Sequence, residues 1–107
     1  MIRSCNVKRY KGNEGICVSP TVKDYRGRVY RSLYPDRNLL SLKRKNPDKF
    51  ERVYTQTILN KHLPIKVYND FTDFVILCDG SDDDYYSLRE IISRWLYDRL
   101  GAKVKKI

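Results

Sequence analysis

The spacing of apolar and polar positions changes most sharply between Thr72 and Leu100. Phe74-Val75-Ile76-Leu77-Cys78 is apolar without a break, the pattern of a strand buried on both faces. A polar turn follows, Asp79-Gly80-Ser81-Asp82-Asp83-Asp84. From there Leu88, Ile91, Ile92, Trp95, Leu96 and Leu100 recur at helical spacing on one face. Strand, turn and amphipathic helix make half of a βαβ unit. Ligands of open α/β sheets bind where such a strand gives way to its helix, so a site is expected at this turn.

The rest of the chain punctuates into short elements. Ile2 to Val7 reads as a first strand and Ile16-Cys17-Val18 as a second. Turn chemistry at Gly12-Asn13-Glu14-Gly15 separates them, and Ser19-Pro20 stops the second because proline lacks the ladder donor. Residues 19–35 show little apolar period and read as a long loop with its tip at Arg26-Gly27-Arg28. Asp36 caps a short helix over residues 37–45 that turns Leu39, Leu40 and Leu42 inward. Asn46-Pro47 breaks that helix and opens the next, since proline suits a first helical turn. The second helix is expected to run to about Leu63, with Phe50, Val53, Tyr54, Thr57 and Ile58 inward and Pro64 as its stop. Residues 65–71 read as a short helix or turn. Gly101 is a left-handed helix stop, and residues 102–107 read as a last, parallel strand with Val104 inward. Together the pattern predicts an α/β fold. It is a small single domain of three αβα layers, with a mostly parallel sheet of about four strands and residues 74–78 in its middle.

Composition narrows the class. The chain has 107 residues, 41% apolar and 33% charged, a globular balance with room for one modest core. No stretch approaches the roughly 18 apolar residues of a membrane span, and the N-terminus lacks an apolar segment of signal-peptide length. A cytoplasmic protein without membrane contact is the simplest expectation. Cys5, Cys17 and Cys78 are odd in number and share no CxxC spacing, so they read as reduced, buried small hydrophobes. His62 is the single histidine; it reads as a cap for helix carbonyls, and no metal site is expected.

Charge is distributed unevenly. The net charge is +9, and residues 1–53 hold 14 Lys/Arg against 5 Asp/Glu while the remainder holds 8 of each. A one-sided surplus points to an anionic partner, although a solvated face has the same look. In the 19–35 segment Lys23, Arg26, Arg28 and Arg31 interleave with Tyr25, Tyr30 and Tyr34, a mixture suited to phosphate contact and base stacking. Lys43-Arg44-Lys45 adds a basic cluster, at a helix C-terminus where the dipole also favours cations. The candidate contacts to nucleic acid or an acidic partner are Lys23, Arg26, Arg28, Tyr30, Arg31, Lys43, Arg44 and Lys45.

The turn at 79–84 carries four carboxylates, Asp79, Asp82, Asp83 and Asp84. Hard cations take such ligands, but helix-start chemistry explains them better. Ser81 is the expected N-cap, Asp84 its capping-box partner, and the acids favour the positive helix end. The candidate pocket at the strand end comprises Cys5, Ser19, Asp79, Ser87 and Arg89, with Arg89 able to hold a phosphate bidentately.

This layout resembles domain-of-unknown-function family 488, from bacteria and viruses. The resemblance rests on Tyr30-Arg31-Ser32-Leu33-Tyr34-Pro35, then Leu39-Leu40 and Lys43, then Phe50, Tyr54 and Ile58-Leu59. It closes with Ile76-Leu77-Cys78-Asp79, Arg89, Ile91, Trp95-Leu96, Gly101, Val104 and Ile107. The family's Cys-His-Arg triplet falls here on Ser87-Leu88-Arg89, so only Arg89 matches, and its Glu after the central strand is replaced by Asp79-Gly80. The resemblance implies an α/β three-layer fold. It implies no activity, since the family's own role is not established; a thiolate and imidazole pair could make a nucleophile or metal site, whereas Ser87 beside Leu88 has no visible base.

Three functional expectations follow. The first is a small basic, non-catalytic binding protein that contacts nucleic acid through its N-terminal half, without a cofactor. The second is a viral or mobile-element interaction protein that docks on an acidic host protein. The third is an active or remnant enzyme on a nucleotide or nucleic acid. All three rest on a four-stranded core beneath a basic front.

Overall fold

The computed structural model describes all 107 residues. Its strands are β1 (Arg3–Asn6), β2 (Gly15–Cys17), β3 (Arg28–Val29), β4 (Val75–Cys78) and β5 (Lys105–Lys106). Its helices are α1 (Arg37–Lys45), α2 (Pro47–Thr57), α3 (Pro64–Phe71) and α4 (Leu88–Leu100), with 3₁₀ turns at Arg31–Leu33 and Leu59–Lys61. The strands form one all-parallel sheet in the order β3-β2-β4-β1-β5. β4 is its middle strand and is buried from Val75 to Cys78, as the unbroken apolar run predicts. The α/β class and parallel sheet are therefore as expected, with five strands where about four are predicted. The extra strand, β3, lies inside the segment read as loop; two exposed residues are too short to leave a period-2 signal.

Register sorts the side chains by face. Ser4 and Ile16 stand beside Ile76, while Cys5 and Cys17 stand beside Leu77. The Ile76 face carries the main core, which gathers Leu39, Phe50, Tyr54, Val67, Phe71, Ile92, Trp95 and Leu96 from all four helices. Cys5, Cys17, Val75 and Leu77 form a smaller cluster on the other face, covered by Val7, Tyr10, Val22 and Tyr25. Its outer layer is thus built of loops, where the sequence reading supplies helices to both faces. Connection length gives the reason. The β1→β2 and β2→β3 links step one way along the sheet and the β3→β4 and β4→β5 links step back. Right-handed crossovers put these two sets on opposite faces. Residues 7–14 and 18–27 are too short to form a helix and still cross over. Gly15 lets them come close, since a side chain there would meet Leu77 and Tyr10.

Local chemistry sets the helix boundaries. Asp36 accepts from the Leu39 N–H at 2.8 Å and Asn46 from the Lys49 N–H at 3.2 Å, with Pro47 in the first turn of α2. α2 stops at Thr57, short of the expected Leu63, and continues as a 3₁₀ turn that brings Leu59 into the core. Thr57 is consequently exposed, not part of the inner stripe. His62 Nδ1 lies 2.9 Å from the Ile58 carbonyl, the capping role expected of it. Gly101 ends α4 in the left-handed region at φ 67°. The α4 start differs from expectation. Its N-cap is Ser87, whose Oγ accepts from the Glu90 N–H, while Ser81 belongs to a separate turn whose carbonyl accepts from the Asp84 N–H at 3.1 Å. No helix is long and apolar enough to cross a membrane.

Candidate functional site

Parallel strands deliver their carboxyl ends to one edge of the sheet. β2 leaves by the loop face and β4 by the helix face, so a crevice opens between them; such switch points are where α/β sheets take ligands. Its floor is a chain of hydroxyls on a carboxylate. Ser19 Oγ lies 2.7 Å from Thr21 Oγ1, and Thr21 Oγ1 donates to Asp79 Oδ2 at 2.6 Å. The bridge divides two hollows. One, of about 420 Å³, is bordered by Lys8 and Lys23; the other, of about 240 Å³, by Ser19, Lys43, Arg44 and Gly80. Lys8, Lys23 and Arg44 are exposed and Lys43 half-buried. Lys43 reaches Asp84 at 3.8 Å; the other three pair with no carboxylate. Of the Lys and Arg side chains of residues 1–53, only Arg3, Arg9 and Lys43 form ion pairs.

The candidate basic residues do not act as one group. Lys23, Lys43 and Arg44 meet at the crevice. Arg28 instead stacks over Phe74, its guanidinium 4.9 Å from the ring, at the opposite, amino-terminal edge of the sheet. Tyr30 is half-buried against the main core rather than free as a stacking platform. Its ring lies 5.0 Å from that of Phe71, and its hydroxyl donates to Asp70 at 2.5 Å. Burial and that carboxylate push its pKa up to about 12, while the Tyr30 hydroxyl and Lys66 hold Asp70 below the usual carboxylate range. Tyr25 is similarly committed, donating to the Gly15 carbonyl at 2.9 Å. Arg26, Arg31 and Lys45 are exposed and make no ion pair or side-chain hydrogen bond.

The expected strand-end pocket divides too. Ser19 and Asp79 line the crevice. Cys5 lies on the loop face with Cys17, because odd positions of β1 share the side of Leu77. The Ser87 hydroxyl is buried and spent on the α4 cap. Arg89 is neither a surface residue paired with Glu90 or Asp98 nor open to the crevice. Its side chain is 1% exposed and lies under the 79–82 turn, where Nη2 donates to the carbonyls of Gly80 at 3.2 Å and Ser81 at 3.4 Å. Beside it, burial pushes the Cys78 thiol up to about 11, against the opposing pull of Arg89. That thiol is protonated at neutral pH and donates to the Asp79 carbonyl at 3.1 Å. Thr21 and Lys8 are crevice residues absent from the candidates drawn from sequence. Their signal is position: each follows within a few residues of a parallel strand's carboxyl end.

Fold and site together define an α/β protein with a parallel sheet and a cation-rimmed crevice at the strand ends. Compared with protein-family models, curated proteins and solved structures, the chain matches none.

Proposed function

We propose that this protein is a non-catalytic nucleic-acid-binding module that grips the phosphate backbone across the crevice between β2 and β4. The observation that carries the reading is the rim of Lys8, Lys23, Lys43 and Arg44 at a switch point, in a chain half whose cations largely lack acidic partners. Unpaired cations are what phosphates recruit, with release of condensed counterions. Binding is sequence-tolerant, because Tyr25 and Tyr30 are engaged within the fold and phosphate contacts carry no base information. Catalysis is disfavoured, since Ser87, Cys78 and Arg89 are all committed to holding the turn and the α4 start.

The test is a salt titration of binding to labelled single-stranded DNA and RNA. The logarithm of affinity should fall linearly with that of salt. Joint replacement Lys43→Ala and Arg44→Ala should flatten the slope by about 1.4, at about 0.7 per phosphate contact on a single strand. Undetectable binding at low salt, or a double variant that binds like the parent, overturns the proposal.

A further inference from the structure

A second cation-lined hollow lies one strand over, beyond β1, and shares only Lys8 with the crevice. A hollow of about 350 Å³ there is lined entirely by polar residues: Asn6, Lys8, Arg9, Ser81 and Asp82. Arg9 grips Asp82 with both guanidinium ends, Nη1 to Oδ2 at 2.7 Å and Nη2 to Oδ1 at 3.2 Å. Its Nη2 also reaches the Ile107 main-chain oxygen at 2.6 Å. Arg89 approaches the same carboxylate from beneath, Nη1 to Oδ1 at 3.5 Å, without a hydrogen bond. Lys106 stands nearby, but Glu90 pairs with it at 3.0 Å. Two guanidinium groups therefore share one carboxylate, and Lys8 adds a third, unpaired cation at the rim.

The arrangement leaves a specific deficit. Arg89 Nε and Nη1 are buried and have no hydrogen-bond partner, an expensive state for a charged donor. Arg89 also sits in the first turn of α4, where the helix dipole disfavours a cation. A carboxylate has two oxygens, and the Arg9 fork takes both. A phosphate monoester has three terminal oxygens and up to two charges. It satisfies the Arg9 fork as the carboxylate does and has an oxygen left for Arg89 Nη1. The carboxylate in place belongs to an exposed turn residue two positions after Gly80, whose φ is 99°.

We propose that Arg9, Arg89 and Lys8 form a binding site for a phosphate monoester, and that Asp82 is its built-in competitor, occupying the place of the phosphoryl group until a ligand displaces it. The ligand's phosphoryl group lies against Arg9 and the 80–82 turn, and Asp82 swings outward. A free phosphate and the 5′-terminal phosphate of an oligonucleotide offer the same chemistry.

The probe is inorganic phosphate, titrated into the intact chain while the backbone amide resonances of residues 6–9 and 80–90 are followed, with sodium chloride at matched ionic strength as control. Saturable shifts confined to those segments are expected with phosphate and not with chloride. Asp82→Asn should tighten binding by about tenfold by removing the competitor, and Arg9→Ala should weaken it by at least about tenfold. Lys43→Ala with Arg44→Ala should leave it unchanged, which separates this site from the crevice. If Asp82→Asn binds phosphate no more tightly than the parent, or if chloride gives the same shifts, the proposal fails and Asp82 is a structural clamp. Comparing a 5′-phosphorylated with a 5′-hydroxyl dinucleotide then assigns the source. A preference for the phosphorylated form at these resonances supports a nucleic-acid end, and equal shifts from inorganic phosphate alone support a free phosphate; either result upholds the site.

Discussion

Tyr54 joins two parts of the core that are 21 residues apart in sequence. Its hydroxyl donates to the Leu33 carbonyl at 2.6 Å, and both groups are buried. Replacing it by phenylalanine keeps the ring against Phe50, whose centroid is 5.6 Å away, but orphans that carbonyl. Tyr54→Phe should cost about 1–3 kcal/mol in denaturant unfolding. The same burial raises the Tyr54 pKa above its ordinary 10.0 and the Cys78 thiol from 9.0 to about 11. An unfolded chain releases these protons from about pH 9 upward while the folded chain holds them. Their contribution to stability is thus complete below pH 9 and is lost as pH rises toward and past 11. Unfolding midpoints measured from pH 7 to 11 should fall, and fall less steeply in Tyr54→Phe. Parallel declines would mean that Tyr54 ionises freely in the folded state. Asp82 works in the opposite sense. Arg9 holds its pKa below the ordinary 3.8, so its contribution is present above that value and disappears as pH falls through the lowered one.

At the scale of elements, the start of α4 is the informative case. Ser81 and Ser87 both precede acidic residues three positions on or nearby, and sequence alone favours Ser81. The chain between them makes two successive tight turns, Asp84 N–H to Ser81 O and Ser87 N–H to Asp84 O, each 3.1 Å. These turns carry the backbone from the end of β4 to the point where Leu88 and Ile91 meet the sheet. The two positions therefore separate in a mutational test. Ser87→Ala should cost about 1 kcal/mol through loss of the cap, whereas Ser81→Ala, at an exposed turn, should stay within about 0.5 kcal/mol. Thermal or urea unfolding of the two variants measures this; equal losses would argue that the cap is not at Ser87. Packing also decides the end of α2, where Pro64 marks a stop but Ile58 already leaves the helix so that Leu59 can be buried.

For the whole molecule, the charge of +9 is not balanced locally. Eight ion pairs form, and most lie at the strand-end turns or between α4 and its neighbours. Most cations of residues 1–53 stay without an acidic partner, and exposed ion pairs contribute little to stability. Self-repulsion should then dominate the salt response. Raising sodium chloride from low to physiological ionic strength should increase the thermal midpoint even as it weakens nucleic-acid binding. A midpoint that falls with salt would show that the ion pairs outweigh the repulsion.

The sequence by itself determined the periods. A short apolar run bounded by turn residues reads as a strand buried on both faces, and residues 88–100 present one apolar stripe, so β4, α4 and the α/β class were legible. So were α1 and the start of α2, because Asp36, Asn46 and Pro47 act within one turn of themselves. Only the tertiary structure decided what depends on partners distant in the chain. Register put Cys5 on the loop face, buried beneath Val7, Tyr10, Val22 and Tyr25, where it lines neither hollow of the crevice. Short right-handed connections left one face of the sheet to loops. The 79–82 turn closed over Arg89, and Phe71 with Asp70 drew Tyr30 partly out of solvent. Each outcome turns on which residue arrives opposite, and a one-dimensional pattern does not contain that information.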